Sequence, residues 1–189
     1  MEVLIKKELE LRFEEITERI KEGAVFIHPT DTIYGLSCNA LDSKAVAEIH
    51  KIKERTDKPF SIWVPSLKWV RDNCAVDAEV EKELSKLPGP YTFILTLKKR
   101  KAVADNVTLG KSTIGVRYPD HWFGKVVEKL GFPLVTTSAN KSGEQFMTSL
   151  EDLDKGVEHH VEFMINEGPK IGKPSKIINL VEGTIKERN

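Results

Sequence analysis

Seven short apolar runs constrain the fold of this chain most: Ala24–Ile27, Phe60–Val64, Tyr91–Leu97, Thr113–Arg117, Leu134–Thr137, Phe163–Ile165 and Ile177–Leu180. Runs this short, bounded by polar, Gly or Pro residues, read as buried strands. Between them lie segments with apolar residues at helical spacing. Leu9, Phe13, Ile16 and Ile20 predict an amphipathic helix over the first twenty residues, and Ala45, Val46, Ile49 and Ile52 predict another that Ser43 can cap. A helical pair, Leu67–Cys74 and Asp77–Leu87, stops at Pro88-Gly89-Pro90, and further helices are expected near His121–Leu130 and Ser149–Val157. The last residues, from Thr184, read as a final short strand or tail. The class is mixed α/β, and the strand order stays open at this level.

With 189 residues, of which 40% are hydrophobic and 31% charged, one domain over residues 1–189 can bury most of its apolar surface. Lys+Arg and Asp+Glu each total 29, so no global field draws the chain to nucleic acid or to a membrane. Cys38 and Cys74 have no metal-ligand spacing and are too few for a disulfide framework, which fits a reducing cytosol. The expectation is a cytoplasmic protein with no membrane partner, since no run of 18 apolar residues occurs.

The chemistry concentrates where apolar runs end. Pro29-Thr30-Asp31-Thr32-Ile33-Tyr34-Gly35 follows the first strand, and Ser138 and Asn140 follow the strand ending at Thr137. Thr32 and Tyr34 can hydrogen-bond a small polar ligand, or else belong to a turn and to the core. Lys53, Arg55 and Lys58 form a tight cationic set, with Arg117 a fourth cation at a strand end. A hydrogen bond to a charged partner contributes roughly 1.5–3 kcal/mol, so converging cations suit a polyphosphate. Alone they would be a solvated helix end; together with Ser138 and Asn140 they can hold phosphate and sugar oxygens.

Other candidates lose on context. Gly110-Lys111-Ser112-Thr113 imitates the end of a P-loop, but Asp105 stands where that motif needs glycine, and Thr113–Val116 reads as strand rather than helix. Lys98-Lys99-Arg100-Lys101 reads as a solvated loop. The five histidines have no zinc spacing, and no GxSxG elbow is present.

Five ordered motifs, Pro29–Ala40, Lys53-x-Arg55 with Lys58-Pro59, Pro88–Leu95, Thr113–Asp120 and Thr136–Gly143, resemble the YrdC family of threonylcarbamoyl-AMP synthases over most of the chain. The resemblance implies a twisted mixed sheet with flanking helices around a large, positively charged cavity. It implies a nucleotidyltransferase-type reaction of L-threonine, bicarbonate and ATP, with Mg²⁺ accompanying ATP, that yields threonylcarbamoyl-AMP and pyrophosphate. The product would pass to a transferase machinery that modifies adenosine 37 of tRNA. Carried over by motif, Lys53, Arg55, Lys58, Thr113, Ser138 and Asn140 would hold ATP, Lys53 and Arg55 stabilising its charge, while Thr32, Arg117, Thr137 and Ser175 would hold threonine. No side chain would act as nucleophile, and the metal ligands are not identified. Ser37 stands where the family usually has glycine, and Lys176 where many members have threonine. Arg188 is the one residue that could replace the arginine of the family's usual C-terminal ending. Without the extra domain of longer relatives, the chain resembles the short form. The competing expectation is a non-catalytic module that binds double-stranded RNA or tRNA directly through the same cavity; steep salt dependence would mark it.

Overall fold

The computed structural model describes residues 1–187 as a ten-stranded mixed sheet with helices on both faces. The strands are β1 (Glu2–Ile5), β2 (Phe26–His28), β3 (Gly35–Asn39), β4 (Ser61–Trp63), β5 (Tyr91–Thr96), β6 (Thr113–Arg117), β7 (Leu134–Ser138), β8 (Phe163–Asn166), β9 (Lys176–Asn179) and β10 (Thr184–Lys186). Their order is β1-β8-β2-β3-β7-β4-β6-β5-β9-β10. Helices α1 (Lys6–Leu11), α2 (Phe13–Lys21), α3 (Ser43–Ile52), α4 (Leu67–Asn73), α5 (Ala78–Leu84), α6 (Asp105–Thr108), α7 (Gly124–Leu130) and α8 (Lys155–Glu158) fill the connections.

All seven expected strands form, and the structure corrects four local readings. The first residues are not helical: Val3, Leu4 and Ile5 pair β1 in parallel with β8, and the helix that follows breaks at Arg12 (φ −109°, ψ 29°). Leu9, Ile16 and Ile20 nevertheless form one buried stripe across the break. Gly35–Asn39, at the end of the hydroxyl-rich motif, is a central strand antiparallel to both β2 and β7. Asp42, not Ser43, caps α3 by accepting from the amides of Lys44 and Ala45. The expected helix at 149–157 is a 3₁₀ turn, Leu150–Asp152, followed by the single turn α8.

Side chains alternate between the two faces of a strand, so the register assigns each face its role. Leu36, Cys38, Val135, Ile62, Val116, Ile114 and Phe93 point to one face, where they form the main core with Val46 and Ile49 of α3, Val70 of α4 and Val107 of α6. The other face is divided. At one end Phe26, Trp63, Leu134 and Phe163 pack against Ile16 and Ile20 of α2 and Phe123 and Val127 of α7. Each such side chain contributes roughly 1.5–3 kcal/mol by burial.

Towards the other end the same face carries Ser37, Thr136, Ser61 and Gly115 side by side across β3, β7, β4 and β6. No bulky group stands in that row, so a hollow remains over the middle of the sheet.

His28 sits at the border of the two halves, stacked on Phe123 with ring centroids 4.7 Å apart. Its Nδ1 faces the Pro29 carbonyl at 3.0 Å and therefore carries the proton, leaving Nε2 to accept from the Ser37 hydroxyl at 2.6 Å. Burial drives the His28 pKa down to about 3, against the Pro29 bond that raises it. The folded state thus resists a proton that the unfolded chain takes up near its ordinary value of 6.5. The His28 contribution to stability is fully present above pH 6.5 and falls by about 1.4 kcal/mol per pH unit below it. Urea unfolding at pH 7 and pH 5 should show that slope in the wild type, and His28→Phe/Ser37→Ala should flatten it.

Candidate functional site

The hollow is a cavity of about 280 Å³, lined by Arg55, Lys58, Arg117 and Lys186, by eight serine and threonine side chains, and by no carboxylate among the described residues. It adjoins a more open outer chamber of about 670 Å³, lined by Lys53, Asn140, Glu144, Phe146 and Gly172 among others. The chambers share Ile33, Arg55, Lys58 and Ser138.

At the inner end, Arg117 leaves the last position of β6. Its Nη2 donates to Asp31 Oδ1 at 2.9 Å and to the Thr32 hydroxyl at 3.3 Å, and Asp31 Oδ2 accepts from the Asp120 amide at 3.4 Å. Both charged side chains are buried, 8% and 9% exposed. Thr30 closes the turn: its hydroxyl lies 2.7 Å from the Ile33 carbonyl and 2.9 Å from the Thr32 hydroxyl. Asp31 therefore holds Arg117 in place, a role that nothing in the sequence distinguishes from a turn-forming aspartate. Ser175 and Thr92, opposite each other on the wall, are joined hydroxyl to hydroxyl at 2.7 Å. The segment leading to Ser175 lies tight over the Thr32 loop. A Cβ on Gly172 would come within 2.1 Å of the Thr32 carbonyl oxygen, so only glycine permits this crossing.

The outer chamber is organised by Lys53, which is 2% exposed. Its Nζ donates to the Ser138 carbonyl at 2.8 Å, to Asn140 Oδ1 at 3.0 Å and to the Asn140 carbonyl, with the Ser138 hydroxyl 3.4 Å away. The Ser138 hydroxyl in turn donates to Asn140 Oδ1, and Asn140 Nδ2 donates to the Glu144 carbonyl at 2.7 Å. Burial, and then the neighbouring Arg55 charge, lower the Lys53 pKa to about 7; Glu144 opposes them. Lys53 thus shapes the Ser138–Asn140 turn from behind. Arg55 stands forward: one guanidinium nitrogen donates to the Pro59 carbonyl at 3.1 Å, the group lies 4.9 Å from the Phe60 ring centroid, and Nε has no partner among the described residues. Burial lowers its pKa. Arg55 is half-buried and lines both chambers, where a guanidinium has the charge and the donor geometry that an anion requires.

Of the residues singled out from sequence, Thr32, Arg117, Thr137 and Ser175 line the inner chamber, Lys53 and Asn140 the outer, and Arg55, Lys58 and Ser138 both. Thr113 reaches neither; it pairs with Thr96 four positions back along β6 from Arg117. Arg188 lies outside the described residues. Ser61, Thr92, Thr136 and Lys186 line the inner chamber without having been anticipated. For Ser61, Thr92 and Thr136 the only sequence signal is polarity at strand positions that alternate with core residues, and Lys186, on the exposed strand β10, carries none. The Tyr34 hydroxyl is taken up by Gly168 and Glu167, which leaves the ring as wall. No three His, Cys, Asp or Glu residues cluster to hold a metal among the described residues.

Fold and site together define an α/β protein with a chamber lined by cationic and hydroxyl side chains on one face of a mixed sheet. The Sua5/YciO/YrdC family model, described as telomere recombination, matches residues 18–187, and the chain belongs to this family. It is 39% identical over 91% of its length to a Methanocaldococcus jannaschii protein provisionally named threonylcarbamoyl-AMP synthase, covering 82% of that protein. It is 32% identical over 90% of its length to the uncharacterised Escherichia coli protein YciO, covering 84% of it. The structure superimposes on that of Pyrococcus abyssi Sua5 complexed with L-threonine with a TM-score of 0.82 at 30% identity, over 97% of this chain and 55% of that one. The chain likewise spans about half the length of the Bacillus subtilis and P. abyssi threonylcarbamoyl-AMP synthases it matches. No helix among the described residues is long and apolar enough to cross a membrane.

Proposed function

We propose that this protein makes threonylcarbamoyl-AMP and pyrophosphate from L-threonine, bicarbonate and ATP. The observation that carries the reading is the pair of chambers meeting at Arg55, Lys58 and Ser138. The inner chamber is at the small end for a ligand site and takes an amino acid with its one-carbon addition; a nucleotide needs the outer one. The shared residues then flank the point where the two reactants join. Two family relatives support the overall reaction, one by its name and one by its bound threonine.

Threonine's amine attacks the carbon of bicarbonate, water leaves, and a carbamate forms. A carbamate oxygen then attacks the α-phosphorus of ATP, and the bond to the β-phosphate bridging oxygen breaks with its electron pair on pyrophosphate. Arg117, held by Asp31, presents its guanidinium to the threonine carboxylate. Arg55 and Lys58 neutralise the phosphates as the leaving group gains charge, and Ser138 supplies a hydroxyl at the junction. The donor set here, hydroxyls and cations with a lone Glu144, suits a Mg²⁺ that arrives on the nucleotide phosphates rather than one resident in the protein. Downstream, the product suits a transferase acting on tRNA.

Incubation with ATP, Mg²⁺, bicarbonate and labelled threonine should release pyrophosphate together with a threonine-labelled adenylate, both only when bicarbonate is present. Absence of both would sink the reading, and tight, salt-sensitive RNA binding in their place would favour a binding module. Arg55→Ala should weaken ATP binding about 30-fold, the loss of one or two charged hydrogen bonds, and threonine binding less than about threefold. The reverse ranking in calorimetry would show that the chambers are assigned the wrong way round.

A further inference from the structure

Two hydroxyls on the floor of the inner chamber have no part in the reaction just described. Ser61 lies in register between Thr136 on β7 and Gly115 on β6, all on the cavity face. Thr136 is 5% exposed, yet neither its hydroxyl nor that of Ser61 has a hydrogen-bond partner among the described residues, and both line the cavity. Of the other wall hydroxyls, Thr92 bonds to Ser175, Thr30 to Thr32 and Ser138 to Asn140, while Thr137 lies on the strand position after Thr136 and so alternates to the opposite side of β7.

Glycines keep the space above this pair open. A Cβ on Gly115 would stand 2.5 Å from Ser61 Oγ, and one on Gly35 would stand 3.2 Å from Thr136 Oγ1. Room and hydroxyls without a protein partner thus coincide at one spot facing the cavity.

We infer that Ser61 and Thr136 form a subsite that reads the side-chain hydroxyl of the bound amino acid; the inference rests on the synthase reading above. A neutral hydroxyl both donates and accepts, which two facing hydroxyls satisfy at once. Phosphate and carboxylate groups are drawn instead to Arg55, Lys58 and Arg117. Arg117 lies two residues beyond Gly115 on the same face of β6, so an amino acid anchored there by its carboxylate can lay its side chain over Ser61. An isosteric methyl in place of the hydroxyl would seal both protein hydroxyls away from any partner. A site built around such a bond rejects the analogue lacking it far more strongly than a pocket that senses shape alone.

The test is calorimetric titration of threonine, serine, valine and 2-aminobutyrate in the presence of a non-hydrolysable ATP analogue, on the wild type, Ser61→Ala and the isosteric Thr136→Val. The wild type should bind threonine at least about 100-fold more tightly than valine, with serine nearer threonine and 2-aminobutyrate nearer valine. Each substitution should shrink the threonine-to-valine ratio about tenfold, chiefly by weakening threonine. An unchanged ratio in both variants, with threonine still bound, overturns the subsite and leaves the synthase reading standing. A wild type that binds none of the four amino acids overturns both.

Discussion

Arg117→Met will destabilise the fold by about 3–5 kcal/mol and abolish threonine binding, because it leaves the Asp31 carboxylate buried without its counter-charge. Asp31 is 9% exposed on its side chain, and beyond Arg117 it keeps, among the described residues, a 3.4 Å bond from the Asp120 amide. Adding Asp31→Asn to the variant removes the stranded charge, so the double variant should regain much of the lost stability while still failing to bind threonine. Arg117→Lys keeps a positive charge and should cost less stability, yet a point charge cannot grip both Asp31 and a substrate carboxylate as a fork does. Urea unfolding and threonine titration of the four proteins check the scheme. A loss below about 1 kcal/mol for Arg117→Met would mean that the pair behaves as a solvated surface bridge.

Lys53→Met should cost about 3 kcal/mol and weaken ATP-analogue binding at least tenfold. The ammonium reaches two carbonyl oxygens, an amide oxygen and a hydroxyl within one turn, and methionine offers no donor to any of them. Each buried acceptor left unpaired costs about 1–3 kcal/mol, and relaxation of the turn towards water limits the total. That relaxation is also what damages function, because Ser138 stands between the chambers. Both effects should appear together in thermal unfolding and in titration with the analogue. Weakened binding with unaltered stability would place Lys53 directly on the nucleotide instead.

The residues of the site are legible in sequence to unequal degrees. Thr32, Arg117, Ser138 and Asn140 can be picked out because hydroxyl, guanidinium and amide groups follow apolar runs, and strands in such folds deliver loops at their ends. Ser61, Thr92 and Thr136 cannot, since a lone hydroxyl within a strand is indistinguishable from one facing solvent until the register is known. Lys53 shows the converse difficulty. Its charge and its place beside Arg55 suggest a group that reaches for phosphate, and only the fold shows that its ammonium also holds the Ser138–Asn140 turn from the chamber wall. Asp31 reads locally as a turn former and becomes a counter-charge only through β6, far along the chain.

The fold divides in a similar way. The seven apolar runs and the stripe of Leu9, Ile16 and Ile20 suffice by themselves for an α/β domain and for most of its core, since short β-rich runs and helical periodicity are local consequences of burial on one face. They do not determine that Glu2–Ile5 pairs as an edge strand beside β8, that Gly35–Asn39 becomes a central strand, or that β7 lies between β3 and β4. Those outcomes depend on which strand edges meet, a long-range choice that no window of sequence contains. The site follows from the same choice. Only when β3, β7, β4 and β6 lie side by side do Ser37, Thr136, Ser61 and Gly115 form a row too small to fill its face, and the unfilled space is the chamber.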